Sequence, residues 1–146
     1  MEYREVSGDL ISLAKQGNFD IIAHGCNCFC VMGAGLALQI KNHFPEAEKA
    51  DKNYDRLLDA KLGNMSYAGY ENLIVCNLYT QYEPGPNLDY EALTLCLRKL
   101  NYRFKGFHIG LPQIGCGIAG GDWERVKAII QKELVDMNVT IVIYQP

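Results

Sequence analysis

Short apolar runs separated by longer amphipathic segments alternate along this chain, and the alternation predicts strands that take turns with helices. A strand around Tyr3 to Val6 ends at Ser7-Gly8-Asp9, where Asp9 can cap a helix from Leu10 to about Gln16, and Gly17-Asn18 breaks that helix. Phe19 to Ala23 has strand character. Leu36 to Ile40 continues into a helix that should stop just before Pro45, and a second helix starts at Pro45, whose fixed φ suits a first turn. Met65 to Tyr67 and Asn72 to Leu78 predict a hairpin around the turn Ala68-Gly69-Tyr70-Glu71, leading into a loop from Thr80 to Asn87. Asp89 caps a helix from Tyr90 to Arg103, in which Ala92, Leu93, Cys96, Leu97 and Leu100 recur at helical spacing and form a core stripe. A strand from Phe107 to Leu111, a glycine loop, a helix from Trp123 to Asp136 and a last strand from Thr140 to Tyr144 complete the pattern. Strands alternating with helices imply an α/β domain whose central sheet is largely parallel and covered on both faces.

The 146 residues, 49% of them hydrophobic, suffice for one domain with a real core, expected to span 1–146. A formal net charge of −3 argues against a protein that coats nucleic acid, because such binding needs clustered Lys and Arg. Any phosphate it holds is then held by backbone donors. The start Met1-Glu2-Tyr3-Arg4-Glu5 is polar and no apolar run approaches membrane-spanning length, so the expectation is a cytoplasmic, monomeric protein away from membranes, with its six cysteines reduced. Cys26, Cys28 and Cys30 stand at alternate positions, which is not the two-residue gap with which paired thiolates grip zinc, and no metal site is expected.

Two glycine turns carry the functional signal. Met32-Gly33-Ala34-Gly35-Leu36-Ala37 follows one strand and feeds a helix, and Gly115-Cys116-Gly117-Ile118-Ala119-Gly120-Gly121-Asp122-Trp123 does the same after Phe107 to Leu111. Glycine lets backbone N–H groups converge on an anion at a helix start, and both turns fall at the carboxyl ends of strands, where α/β sheets place their sites. Two such loops could clasp one diphosphate from opposite sides. Neither matches a Walker or a dinucleotide signature by itself.

Taken in order, Gly8-Asp9-Leu10, His24-Gly25-Cys26-Asn27, Gly33-Ala34-Gly35-Leu36-Ala37 and Pro112-Gln113-Ile114-Gly115-Cys116-Gly117 with Asp122-Trp123 resemble a macrodomain over nearly the whole chain. The likeness is to the small branch with the yeast and phage ADP-ribose 1″-phosphate phosphatases and the hydrolases that remove ADP-ribose from protein or nucleic acid. It implies a three-layer α/β/α fold with a cleft for ADP-ribose and no cofactor. By this resemblance Asp9 would accept the adenine amino group with the backbone of Leu10 in support, and Tyr144 would lie near the adenine face. Gly33, Ala34 and Gly35 would form one diphosphate wall, Gly115, Cys116, Gly117, Ile118 and Ala119 the other, and Asn27 would meet the distal ribose. Nucleic acid would be a partner only where it carries ADP-ribose.

Relatives that cut the glycosidic bond use a lysine in the loop after the central strand, and some add an aspartate in the second glycine loop. Here those regions read Leu78-Tyr79-Thr80-Gln81-Tyr82 and Ala119. His24, Asn27 and Asp122 remain near the distal ribose, a set suited to metal-free attack by water on a phosphomonoester, with the imidazole moving a proton and Asp122 orienting it or activating the water. The leading expectation is hydrolysis of ADP-ribose 1″-phosphate; removal of ADP-ribose from macromolecules and plain ADP-ribose reading are the alternatives. His43 and His108 read as structural, a Cys26 or Cys116 nucleophile is not expected without a basic neighbour, and Tyr79, Tyr82 and Gly85-Pro86 are candidate lid residues.

Overall fold

The computed structural model describes residues 1–54 and 57–145. Its elements run β1 (Tyr3–Gly8), α1 (Leu10–Lys15), β2 (Ile21–Asn27), α2 (Gly35–His43), α3 (Pro45–Lys52), α4 (Leu58–Lys61), β3 (Met65–Tyr70), β4 (Leu73–Gln81), α5 (Tyr90–Arg103), β5 (His108–Leu111), α6 (Trp123–Glu133) and β6 (Asn138–Tyr144). All six strands join one sheet in the order β1-β6-β5-β2-β4-β3. Every neighbouring pair is parallel except β3 with β4, so the sheet is mixed and mostly parallel, as the alternating pattern predicts.

Successive strand residues point to opposite faces. Ile21, Cys76, Leu78 and Ile141 therefore pack under α5 and α6, against Leu93, Leu97, Leu100, Val126 and Ile130. Their sequence neighbours Ile22, Val75 and Val142 pack on the other face, against Leu10 and Ile11 of α1, Ile40 of α2 and Ala47 of α3. Two apolar clusters with one sheet between them are the three layers of an α/β/α sandwich. Each fully buried aliphatic side chain contributes about 1.5–3 kcal/mol, so these clusters dominate the stability.

Three helices start at an aspartate whose carboxylate accepts a first-turn N–H: Asp9 from Ile11 at 3.1 Å, Asp89 from Ala92 at 3.0 Å and Asp122 from Arg125 at 3.2 Å. Several expected boundaries move, among them β2, which spans Ile21–Asn27 where the sequence predicts Phe19 to Ala23, so that His24 and Asn27 stand in the strand. The hairpin turns at Glu71-Asn72, not over 68–71, because Ala68, Gly69 and Tyr70 stay in the ladder with Val75, Ile74 and Leu73. Strand β4 continues to Gln81, so Thr80 and Gln81 belong to the sheet and not to the following loop. Helix α6 stops at Glu133 because the backbone at Asp136 is engaged elsewhere: its N–H donates to Asn101 Oδ1 and its carbonyl accepts from Gly106. The four-residue α4 has no counterpart in the sequence reading.

Candidate functional site

The carboxyl ends of β2, β4, β5 and β6 open into a cleft of about 680 Å³. One wall is 33–37, the opposite wall is 115–119, and Pro84 and Gly85 lie at its edge. Gly35 (φ +58) and Gly115 (φ +73) hold the two turns in left-handed backbone, which strains any residue with a Cβ. The walls are close: a Cβ added to Gly35 would stand 3.5 Å from Ile118 Cδ1. Gly33 and Gly117 face open space, with nothing within 4 Å of an added Cβ.

Both walls present hydrogen-bond donors. Helix α2 differs from α1, α5 and α6 in having Ala34 at its N-cap and no side chain to cap it. Among the described residues, no acceptor meets the N–H groups of Gly33, Ala34, Gly35, Leu36 or Ala37. The same holds across the cleft for Gly117, Ile118 and Ala119, whereas Cys116, Gly120 and Gly121 are engaged within the loop by Gln113, Gly117 and Gly115 carbonyls. Converging N–H groups at a helix N-terminus attract anions. The cleft therefore offers backbone donors on two sides.

His24 sits at the cleft floor, 1% exposed, between Ala23 and Gly25 of β2. The parallel register sets it beside Asn77 of β4, and its Nε2 lies 2.7 Å from Asn77 Oδ1. The amide's orientation is fixed, because Asn77 Nδ2 donates at 2.8 Å to the carbonyl of Ala47, which can only accept. Nε2 therefore carries the hydrogen, and Nδ1 holds the lone pair of the neutral ring. Burial pushes the imidazole pKa below its ordinary value, against the opposing pull of the Asn77 hydrogen bond and the Asp51 charge.

The expected pairing of His24 with Asp122 is not formed. Asp122 is exposed, caps α6 through Arg125, is not among the cleft-lining residues, and its own N–H donates to the Tyr90 hydroxyl at 2.9 Å. Its charge is felt instead by the Cys116 thiol. Asn27 lines the cleft, but its amide is largely committed to its own loop: Nδ2 donates to Val31 O at 2.9 Å, and Oδ1 accepts from Phe29 and Val31 N–H. One Nδ2 hydrogen is left over. Asp9 and Leu10 stand at the cap of α1 outside the cleft lining, with Asp9 also accepting from the Ser12 hydroxyl, while Tyr144, paired in register with Gly8, lines the cleft.

Known proteins share this pattern. A family model described as "Macro domain" matches residues 23–130. The chain belongs to the Macro domain family. It is 38% identical to a 17.5 kDa protein of Enterobacteria phage T4, over 100% of this chain and 99% of that one. An ADP-ribose 1″-phosphate phosphatase of Lodderomyces elongisporus is 24% identical over 97% of this chain and 99% of its own. The ADP-ribose glycohydrolase OARD1 of Homo sapiens is 27% identical, covering 93% and 88%. The solved macrodomain of Thermus aquaticus DarG superposes with a TM-score of 0.74 at 25% identity, covering 99% and 98%.

The cleft of this macrodomain has a short titratable inventory. Among the described residues lining it, only His24, Cys26, Cys116 and Tyr144 ionise, and none is Lys, Arg, Asp or Glu. Cys26 Sγ does have a basic neighbour, at 3.5 Å from His24 Nε2 and 3.7 Å from Nδ1, a proximity not foreseen from sequence. Burial nonetheless raises its pKa well above the ordinary thiol value, and burial raises that of Cys116 too, so both stay protonated near neutral pH. No group of three metal-ligating side chains occurs among the described residues. Sequence reasoning missed Thr80, whose buried Oγ1 has no hydrogen-bond partner among the described residues at the cleft edge. Tyr79, a candidate lid residue by sequence, is wholly buried on the α3 side of the sheet.

Proposed function

We propose that this macrodomain binds ADP-ribose across its two glycine walls and hydrolyses ADP-ribose 1″-phosphate to ADP-ribose and phosphate. The observation that carries the reading is the pair of facing donor walls, N–H groups of 33–37 opposite those of 117–119, in a cleft with no lining carboxylate among the described residues. A diphosphate needs such donors, and a phosphomonoester dianion is repelled by carboxylates. The phosphatase named among the relatives, similar over nearly its full length, supports the same reading. The missing lysine and the alanine at Ala119 favour it over glycosidic cleavage through a lysine adduct.

In this mechanism adenine lies toward Asp9 and Tyr144, and the distal ribose descends toward Asn27, whose spare Nδ2 hydrogen meets a ribose oxygen. Water attacks phosphorus and the bond from phosphorus to the anomeric oxygen breaks. One water proton passes to Nδ1 of neutral His24, and the imidazolium so formed returns it to the departing anomeric oxygen, which leaves as the free hydroxyl. Glycine-loop amides stabilise the charge on the transferring phosphoryl group. Asp122 has no step in it.

Phosphate release from ADP-ribose 1″-phosphate, measured beside release of ADP-ribose from ADP-ribosylated DNA and protein, tests the reading. Phosphate release that falls about 10²–10⁴-fold in His24→Gln is the expected result. Turnover of the macromolecular substrates alone would replace it with the glycohydrolase reading, and binding without turnover of any would leave a reader.

A further inference from the structure

Behind the cleft floor, on the α3 side of the sheet, lies a buried ion pair for which the proposed reaction has no use. Lys61 Nζ is 3.3 Å from Asp51 Oδ1, with side chains 3% and 0% exposed. A buried pair of this kind is weak evidence for stability, because desolvating two charges costs as much as their attraction returns. Its surroundings supply another role. Tyr79 OH also reaches Asp51 Oδ1, at 2.7 Å, while Oδ2 has no hydrogen-bond partner among the described residues.

A carboxylate only accepts, so the Tyr79 hydroxyl donates to Asp51. The Ser66 hydroxyl, 2.7 Å from that phenolic oxygen, must then donate to it, and in turn it accepts from Asn77 Nδ2 at 3.0 Å. Asn77 Oδ1, at the other end of the amide, accepts from His24 Nε2. Every hydrogen in the chain points from the cleft toward Asp51. Reversing any link places two donors or two acceptors face to face.

We infer that the Asp51–Lys61 ion pair acts on the cleft through this one-way chain, in which Tyr79 and Ser66 reinforce the Asn77 amide that the Ala47 carbonyl orients, making Tyr79, Ser66 and Asn77 positioning residues that hold His24 as the Nε2–H tautomer with Nδ1 basic. Lys61 pairs with the carboxylate, and the carboxylate sets the direction of the Tyr79 hydroxyl and, through it, that of Ser66. The charged or titratable groups of this network are Cys26 on β2, Tyr79 on β4, Asp51 on α3, and Lys61 on α4 with Cys30 at 3.3 Å from its Nζ. The use of the device in turnover rests on His24 being the proton acceptor of the proposed reaction; the tautomer itself does not.

Nitrogen-15 histidine spectra of the ligand-free protein test it, with the His24 ring assigned by its loss in His24→Gln. Wild type is expected to show Nε2–H and an unprotonated Nδ1, with a slowly exchanging Nε2 proton. In Ser66→Ala and Tyr79→Phe the Nε2 proton exchanges about tenfold faster and its resonance shifts, because a supporting hydrogen bond of ordinary strength is gone. Ser66→Thr, which keeps the hydroxyl, retains the wild-type spectrum. Both variants leave the ion pair in place, and the melting temperature of each is measured alongside. An Nδ1–H ring in wild type, or His24 signals unmoved in both Ser66→Ala and Tyr79→Phe, overturns the inference. Because no substrate is present, either result leaves the phosphatase reading to its own assay.

Discussion

Gly35 and Ile118 face each other across the cleft, near enough that a methyl group on the glycine would touch the isoleucine Cδ1 at 3.5 Å. One belongs to the start of α2, the other to the loop after β5, and no strand joins the two turns directly. Their approach follows from sheet order, since β5 lies beside β2 and both strands end at the same edge. Exposed Ile118 is thus placed to close over whatever lies between the walls. Ile118→Ala is expected to weaken ADP-ribose binding about tenfold through lost apolar contact, with an unchanged melting temperature, as measured by calorimetric titration and thermal unfolding.

The glycines of the walls separate into two kinds with different expected variants. Gly117 has ordinary φ and open space before it, so Gly117→Val should fold normally and obstruct the cleft, lowering ADP-ribose affinity at least tenfold. Gly115 has φ +73, and an added Cβ would lie 2.8 Å from Leu88, so Gly115→Ala should instead destabilise the fold by about 1–3 kcal/mol. Parallel unfolding and binding curves for the two variants check this division. Equal stability losses would contradict it.

Asp122 is expected to behave as a cap and nothing more. Removing its carboxylate in Asp122→Ala deprives the Arg125 N–H of its acceptor and should cost about 1 kcal/mol of unfolding free energy. Turnover of ADP-ribose 1″-phosphate should stay within about twofold of wild type once both proteins are folded. A loss of two orders of magnitude in rate would restore the catalytic role suggested by its place in the sequence.

Acid should destabilise the protein through His24. Its folded pKa is depressed by burial below the unfolded value of about 6.5, so the unfolded chain binds the extra proton first as pH falls. The stability associated with the neutral ring is complete above that unfolded value and is lost progressively from there down through the folded pKa. Urea unfolding between neutral pH and mild acid should show this loss, and His24→Gln, which cannot titrate, should reduce it.

Much of this architecture is legible in the sequence for simple reasons. The stripe of Leu93, Leu97 and Leu100 has helical period, β2, β5 and β6 are short, nearly continuous buried runs, and the glycine turns after β2 and β5 mark where those strands end. The walls of the cleft follow from those turns. The floor does not. His24 meets Asn77 only because β2 and β4 are parallel neighbours in a particular register, which no local pattern encodes. Asp51 and Lys61 carry no local signal of burial; they are buried where α3 and α4 bring them to Tyr79 of β4. Asp122 is ambiguous for a different reason, since an aspartate beside a glycine loop has the same sequence context whether it caps a helix, as Asp122 does, or faces a ligand.

The proposed function requires the two walls to act as one receptor for a diphosphate. Calorimetric titration of the purified protein with ADP-ribose measures that directly. A saturable one-to-one isotherm that disappears in Gly117→Val is the expected result, whereas no heat of binding at millimolar ADP-ribose would contradict the account in both its enzyme and its receptor forms.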